Sequence, residues 1–390
     1  MEHINDKIKV LEVMFELLRF EINGTEISCD TKNSITPKTL FQLIKLSKMH
    51  DLSHLIVDAL DRNGLLLCDA SVKKRLLFER DFAICRYEQQ KYELQEFCKI
   101  LESEKIPFVP LKGSVLKKYY PEPWMRTSCD IDILLKREDV QSTIKILVER
   151  YSYRCDSIGE YDVQIYSDNG AHFELHFGLT ETIAKKEEKK IFENVWENVV
   201  GIGYQKELTD EMFYCYHISH IAKHLKYGGC GARSILDTLI LNENVPHSIE
   251  KREQLLAKAG LLKLAKTIEK VARVWFLLES EDDLSKRLSD YVVSGGVYGA
   301  FENKVAAQTF LKKNKFSYLF SRIFIPYSEM KFKYPILQKC PILYPIYVVK
   351  RWFLMLNKNK RALAKKELNQ TIKKNEKQEK IIKLLKELEI

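Results

Sequence analysis

The sequence lacks the features that mark several large classes of protein. Its 390 residues include only 15 Gly and 10 Pro, too few for a collagen-like or low-complexity chain. The nine cysteines are odd in number and no two are spaced Cys-x-x-Cys, which argues against a disulfide framework and against a thiolate zinc site. Scattered free thiols are typical of a reducing cytoplasm.

Long apolar runs are also scarce. The longest candidate, residues 340–356, contains two prolines and is interrupted by Lys350 and Arg351, whereas a membrane-spanning helix needs ~20 apolar residues. The first residues show no apolar run after a basic start, so a signal peptide is not expected. The sequence therefore predicts a cytoplasmic protein without a transmembrane segment. Peripheral attachment at the inner membrane face stays open.

Positive charge is concentrated in the last fifth of the chain. Residues 312–390 carry 20 Lys and Arg against six Glu and no Asp, a net charge of +14, whereas residues 1–311 are net −5. This asymmetry favours an anionic membrane surface or another acidic partner for residues 312–390. A solvated basic face is an alternative of equal weight. Within this region we expect residues 335–356 to be core and residues 358–390 to meet the partner.

Apolar spacing divides the chain into four predicted regions. Helical periodicity dominates residues 1–103, including one long helix, and a mixed pattern of strands and helices follows over residues 104–208. Helical periodicity returns over residues 209–311, and a basic helical region with a tail occupies residues 312–390. This order predicts an α+β protein in which helical regions flank a small sheet.

The chemistry-bearing residues lie in the mixed region. Residues 108–111 read as an edge strand because they contain a proline, and residues 130–135 read as a second strand. Residues 172–177 alternate strictly after an Asp-Asn-Gly turn, so they form one arm of a predicted hairpin. The alternation puts His172, Glu174 and His176 on one face of that arm.

Three carboxylates, those of Asp130, Asp132 and Glu174, converge if the second strand and the hairpin are neighbours. Such a cluster repels itself unless a divalent cation fills it. Mg²⁺, or Mn²⁺ as the alternative, prefers carboxylate oxygens together with substrate phosphates. The competing interpretation of Glu174 is a solvent-facing residue on a half-buried hairpin.

A phosphate-binding turn is the second half of this predicted site. Gly113 follows a strand and opens a helix, so backbone N–H groups there can approach phosphate oxygens, with the Ser114 hydroxyl beside them. Lys112 and Arg126 supply positive charge along a triphosphate. Each motif is weak alone, but their order along the chain is fairly specific.

These motifs resemble the signature of the nucleotidyltransferase superfamily that includes DNA polymerase β. Closer still is an uncharacterised branch of bacterial nucleotidyltransferase-like proteins often associated with surface-polysaccharide genes. This resemblance rests on Pro110-Leu111-Lys112-Gly113, Tyr119-Tyr120-Pro121, Arg126, Asp130-Ile131-Asp132-Ile133-Leu134 and Glu174-Leu175-His176, and it extends to His220-x-x-Lys223-His224, Arg233 and Asp237.

The resemblance implies a small mixed sheet and metal-dependent transfer of a nucleoside monophosphate from an NTP to a hydroxyl acceptor. It makes Asp130, Asp132 and Glu174 the metal ligands, and Glu174 would also help to deprotonate the acceptor. The acceptor class stays open among a sugar or glycan precursor, a protein and RNA. One departure is that fifteen residues separate Ser114 from Asp130, a longer interval than is usual, which leaves the phosphate contacts open.

A histidine-bearing helix is expected to form the wall of the substrate cleft. His217, His220 and His224 share one face, but no acidic residue completes a His-Glu-x-x-His motif and Lys223 stands inside it, so zinc is disfavoured. We expect His220, Lys223 and His224 to line the cleft, with three further residues, His176, Arg233 and Asp237. The alternative is that these histidines simply pack between helices, with Asp237 paired to a His or Arg.

Two other functions compete with the enzyme. One is a regulatory protein that binds nucleotide without turnover, and the other is an antitoxin-like enzyme that modifies a partner protein. All three carboxylates are present, which favours catalysis over silent binding.

Overall fold

A computed structural model describes residues 2–180, 183–246, 248–312, 315–334, 336–354 and 376–390, together with residues 361, 365, 368 and 371. It has a mixed α+β architecture, in which a small sheet is surrounded by helices. The predicted fold class is therefore confirmed.

The chain up to Ser103 is helical. It forms α1 (Glu2–Asn23), α2 (Cys29–Ser34), α3 (Pro37–Met49), α4 (Ser53–Arg62) and α5 (Ala70–Ser103). Side-chain caps fix two of the starts, because the Ser28 and Thr36 hydroxyls accept from backbone N–H groups in the first turns of α2 and α3. The long helix α5 then leads directly into the sheet.

The main sheet has both parallel and antiparallel pairs. Its strands are β1 (Phe108–Pro110), β2 (Ile131–Leu135), β3 (Arg154–Ile158), β4 (Asp162–Tyr166) and β5 (His172–His176), in the spatial order β1-β2-β5-β4-β3. The short helix α6 (Gly113–Leu116) follows β1, and α7 (Val140–Tyr151) follows β2. Strand β1 lies at the edge, as its proline predicted, and β2 pairs in parallel with β5.

The two faces of the sheet have opposite character. Apolar side chains of β2 and β5 pack against α5 and α7 on one face, where the Phe97 and Phe173 rings stack at 4.4 Å. Since side chains alternate along a strand, the intervening residues of β2 and β5 point to the other face. That face carries Asp132, Glu174 and His176.

Helices again dominate after the sheet. They are α8 (Lys186–Glu193), α9 (Asp210–Lys226), α10 (Gly231–Asn244), α11 (Ile249–Lys258), α12 (Leu262–Leu277), α13 (Asp283–Gly295), α14 (Phe301–Leu311), α15 (Lys315–Ile323), α16 (Tyr327–Lys333), α17 (Ile336–Lys339), α18 (Tyr344–Leu354) and α19 (Glu376–Glu387). A two-stranded ribbon of β6 (Val199–Val200) and β7 (Glu207–Leu208) precedes α9.

One large apolar core joins regions that are far apart in sequence. Side chains of α1, α3 and α4 are buried in the same cluster as those of α9, α10 and α12. Stacking of the Phe15 and Trp275 rings, 4.4 Å apart, ties α1 to α12. The division of the chain into four regions stays a prediction. Helices from the first and third of these regions share this core.

The C-terminal region agrees with its core interpretation only in part. The small cluster around Met330, Leu337 and Val348 is buried, but much of the apolar surface of residues 336–354 is exposed, so the core interpretation holds only for its inner side. The charged end also contributes to the main core, since its helix α19 packs Leu384 and Leu385 there, and its contact with an acidic partner stays a prediction. Among the described helices, none combines the length and apolarity needed to cross a membrane.

Candidate active site

The pairing of β2 with β5 brings the acidic residues together. In the parallel register Asp132 lies directly opposite Glu174, and His176 is two residues further along the same face. One ligand atom from each of Asp132, Glu174 and His176 lies within 4.8 Å of the other two. The structure thus brings together two of the three predicted carboxylates and adds an imidazole that the sequence had assigned only to the cleft.

Asp132 is the most buried of these groups, with 3% of its surface exposed. Its Oδ1 atom accepts hydrogen bonds from Lys112 Nζ at 2.6 Å and from His176 Nε2 at 2.7 Å. Burial alone would raise the pKa of Asp132, but the charge of Lys112 and the bonds from Lys112 and His176 outweigh it and hold the pKa below its usual range. Asp132 is therefore a fixed negative charge.

The other two carboxylates differ in their environments. A hydrogen bond from His176 lowers the pKa of Glu174, and His176 Nε2 lies 3.5 Å from Glu174 Oε2. Asp130 directly precedes β2 and is not part of the three-residue group. Burial, and then the negative charge of Asp132, raises the pKa of Asp130. Asp130 therefore lies next to the group of Asp132, Glu174 and His176, and the negative charge of Asp132 disfavours its ionisation.

The Lys112-Gly113-Ser114 turn connects β1 to α6. Lys112 has a backbone φ of +43°, a conformation that costs roughly 1–3 kcal/mol for a residue with a side chain and is often retained at functional sites. Gly113 is buried, and a Cβ there would lie 3.1 Å from Ser128 Cβ. Ser114 is half-buried in the first turn of α6. The turn thus holds the Lys112 ammonium against Asp132.

Arg126 Nη1 would lie 3.9 Å from a Cβ on Gly113, so the guanidinium is beside the predicted phosphate turn, but it also makes a buried ion pair that the predicted triphosphate contact did not include. The residue is 8% exposed, and Nε donates to Asp237 Oδ1 at 2.7 Å. The Tyr120 hydroxyl donates to the same oxygen at 2.7 Å, and Arg126 Nη1 donates to the Thr127 carbonyl. Burial would raise the pKa of Asp237, but Arg126 lowers it. Arg126 therefore links its loop to α10, the alternative pairing that was left open for Asp237.

The three histidines of α9 make two kinds of contact. His217 Nε2 lies 2.9 Å from Thr238 Oγ1, a helix-packing contact with α10. His220 and His224 bring their Nε2 atoms to 2.9 Å from each other. Burial lowers the pKa of His217 and of His224 to about 4, so both are neutral at physiological pH. Within the described residues, a group of three potential metal ligands occurs on the sheet and not on α9.

A cavity of about 230 Å³ lies between the sheet and α9. Glu174 and His176 form one wall, and three α9 residues, Tyr216, His220 and Lys223, form the other. Arg233, which pairs with Asp51, lines a smaller cavity of about 90 Å³ together with His224 and Asp237. The predicted cleft residues are thus divided between two neighbouring cavities.

Asp162 is a cleft residue that the sequence reasoning missed. It pairs with His176 across the β4–β5 hairpin and lines the larger cavity. The signal was available, because counting outward from the Asp-Asn-Gly turn places residue 162 opposite residue 176. Burial raises the pKa of Asp162, which adds another acidic group near the sheet cluster.

A comparison with protein families decides the relationship. A family model described as an uncharacterised nucleotidyltransferase matches residues 39–278, more than half of the chain. The chain belongs to this family. The match runs from α3 to just past the end of α12, so it includes the sheet, the Lys112 turn and α9. No curated protein and no solved structure matches the chain.

Proposed function

We propose that the protein transfers a nucleoside monophosphate from an NTP to a hydroxyl acceptor, using divalent cations bound at the sheet cluster. The observation that carries this proposal is the register of β2 and β5, which sets Asp132 beside Glu174 within 4.8 Å of His176. Membership of a nucleotidyltransferase family supports the same reaction.

The donor groups present fit a divalent cation. Asp132 and Glu174 offer carboxylate oxygens, and Asp130 borders them with a third. Oxygen ligands suit Mg²⁺, while an imidazole such as His176 is better tolerated by Mn²⁺. When bound, such ions lower the barrier by neutralising charge on the phosphates and polarising the attacking oxygen.

In the proposed reaction the acceptor oxygen bonds to the α-phosphorus, and the bond from that phosphorus to the bridging oxygen breaks. Pyrophosphate leaves with the electron pair, and Glu174 takes the proton of the acceptor hydroxyl. Glu174 is assigned this role because it lines the cavity beside the cation ligands; its lowered pKa keeps the carboxylate free to accept a proton, at the cost of base strength. Asp132, whose charge is fixed by Lys112 and His176, orients His176 next to Glu174.

The phosphates are assigned to the Lys112-Gly113-Ser114 turn. The Lys112 side chain extends from this turn to Asp132, where its ammonium group donates to the carboxylate. In the proposed complex the ammonium group donates to a phosphate oxygen instead. The facing wall of the cavity, with His220 and Lys223, is assigned to the acceptor. Arg126 is given no role on the triphosphate because it is buried against Asp237.

Nucleotide binding without turnover is the second candidate function. The observation that favours it is the Lys112 ammonium 2.6 Å from Asp132 Oδ1, because a lysine held there permanently would compete with a cation. The two candidates differ in whether pyrophosphate is released.

The first experiment measures pyrophosphate release from each of the four NTPs with Mg²⁺ or Mn²⁺, in the presence of sugar, protein and RNA pools whose mass shift reports the acceptor. Asp132→Asn and Glu174→Gln should each lower the rate by at least about a hundredfold, since each removes a ligand or base. Asp168→Asn, an exposed residue in the turn of the same hairpin, is the matched control and should keep the wild-type rate.

Equal rates in Asp132→Asn and in the wild type would refute the site. NTP binding that needs Asp132 but releases no pyrophosphate with any acceptor pool would favour the silent binding protein. A mass shift confined to one co-purified protein would favour the antitoxin-like enzyme.

A further inference from the structure

Among the described residues, the C-terminal helices α15 to α18 carry several large apolar side chains that are exposed. They surround only a small core, to which Met330, Leu337 and Val348 contribute. Outside this core lies a group of large exposed side chains, which we call the C-terminal apolar surface: Phe320, Phe324, Ile342, Ile346, Trp352 and Phe353. A contiguous exposed apolar cluster commonly marks an interaction site, whereas single exposed apolar residues need no explanation.

Helix α18 carries buried side chains on one side and exposed apolar side chains on the other. Val348 and Arg351 face inward and are buried, and Arg351 Nη1 donates to the carbonyl of Ile323. Ile346 and Phe353, seven residues apart and therefore on one face, are 61% and 68% exposed. A helix whose outer face carries large apolar side chains is suited to an apolar environment outside the protein.

Helix α15 extends the same surface. The Phe320 and Phe324 rings are 4.6 Å apart, and the Phe324 ring meets Trp352 edge-on at 5.4 Å. Trp352 Nε1 donates to the carbonyl of Ile323 at 3.1 Å, so the indole N–H is satisfied while its ring stays on the surface. The aromatic rings therefore form a continuous patch with α18.

The positive charge of this region indicates which kind of partner binds the C-terminal apolar surface. Residues 315–354 contain seven Lys and Arg and a single acidic residue, Glu329, a net charge of +6. A second copy of the chain would bring the same positive charge to the interface and be repelled. An anionic and apolar partner satisfies both properties of the surface.

We propose that the C-terminal apolar surface binds the interface of an anionic lipid bilayer, with Ile346 and Phe353 entering the acyl boundary and Lys339 and Lys350 meeting the headgroups. Both lysines are exposed. A nucleic acid would satisfy the positive charge but offers no apolar phase for isoleucine. Interfacial helices bind through this combination of an apolar face and basic residues, and no membrane-spanning segment is required.

A groove of about 560 Å³ connects this region to the candidate active site. Tyr318 of α15 and Ile325, between α15 and α16, line this groove together with Tyr161 and Ile183. Tyr161 and Ile183 also line the active-site cavity. The groove therefore places the C-terminal region next to the active-site cavity, although none of the six side chains of the C-terminal apolar surface lines it.

The test is flotation of the full chain with vesicles of phosphatidylcholine alone and with vesicles that also contain phosphatidylserine. We expect binding to the anionic vesicles only, weakened by salt. Lys339→Gln with Lys350→Gln should weaken binding about fivefold for each lysine (~1 kcal/mol each). Ile346→Ser with Phe353→Ser should weaken it by roughly tenfold or more. The matched controls are Lys45→Gln and Phe78→Ser, at exposed positions in the N-terminal helices.

Several results would overturn the proposal. They are equal binding to neutral vesicles, wild-type binding by both double variants, or a change in oligomeric state of Ile346→Ser with Phe353→Ser without any change in vesicle binding. RNA binding that is lost in the lysine variant and kept in the isoleucine variant would also overturn it. Asp132→Asn should float as the wild type does, so failure of the proposed transfer and failure of membrane binding are distinguishable.

Discussion

Arg126 offers a sharp test, because the sequence predicted a triphosphate contact and the structure buries the side chain in an ion pair. Arg126 Nε and the Tyr120 hydroxyl each donate to Asp237 Oδ1 at 2.7 Å, and all three residues are buried. If the ion pair between Arg126 and Asp237 serves stability, removing one of the two charges leaves the other charge buried without a partner of opposite sign. Arg126→Met and Asp237→Asn separate the two charges.

The expected magnitude follows from this burial. Breaking a buried ion pair from one side costs about 3–5 kcal/mol of unfolding free energy, whereas removing both charges together is often close to neutral. The double variant Arg126→Met with Asp237→Asn should therefore lie within about 2 kcal/mol of the wild type, because the amide oxygen that replaces the carboxylate still accepts from Tyr120. Either single variant removes a large share of a typical domain stability of about 5–15 kcal/mol.

Urea unfolding followed by circular dichroism measures these free energies, and titration with each NTP measures affinity. Arg150→Met is the control, because Arg150 pairs with Glu104 at 2.6 Å on the surface and its loss should cost no more than about 1 kcal/mol. The reasoning is refuted if Arg126→Met keeps wild-type stability but loses tenfold or more in NTP affinity. Arg126 would then be the phosphate ligand that the sequence predicted.

Two further predictions concern stability and the phosphate turn. Burial, and then the charge of Asp58, raises the pKa of Glu21 to about 8, so wild-type stability falls as the pH rises from about 4.5 through 8. Glu21→Gln should therefore add roughly 2–3 kcal/mol near pH 7 in urea unfolding, a gain that vanishes towards pH 4.5 and is absent in the exposed control Glu12→Gln. Gly113→Val should weaken NTP binding and also cost about 1–3 kcal/mol, because a Cβ meets Ser128 at 3.1 Å. Ser128→Gly should restore the stability and leave the affinity low; recovery of both would show that the turn does not approach phosphate.

Strands that alternate between polar and apolar residues were predictable from sequence. This holds for β2 and for the β4–β5 hairpin, whose turn and register follow from local rules. The edge strand β3 was missed, because Arg154–Ile158 is largely exposed and contains an irregularity in its pairing with β4. Exposed edge strands need no apolar alternation, so periodicity does not reveal them.

The site was predictable only in part, for a different reason. Asp132 and Glu174 could be placed on one face from strand alternation alone. The contacts from Lys112 and His176 to the same oxygen of Asp132 depend on how three elements meet, and the pairing of Arg126 with Asp237 joins residues 111 positions apart. Spacing along a chain carries no information on such encounters, so the pairing of Asp237 with an arginine could be stated only as an alternative, and the functional roles of these residues stay predictions.

The packing of the basic end of the chain determines how membrane binding should be tested. Because residues 373–380 contain no apolar residue, the sequence alone gives little reason to expect this part of the tail to pack. Ile381, Leu384, Leu385 and Leu388 nevertheless recur at helical spacing and are buried in the main core beside α13 and α14. A chain ending at residue 357 would therefore lose core packing as well as charge, at about 1.5–3 kcal/mol for each large apolar side chain. Its failure to bind vesicles would say nothing about lipid, which is why membrane binding has to be tested with substitutions at exposed positions such as Ile346 and Lys350 and not by truncation.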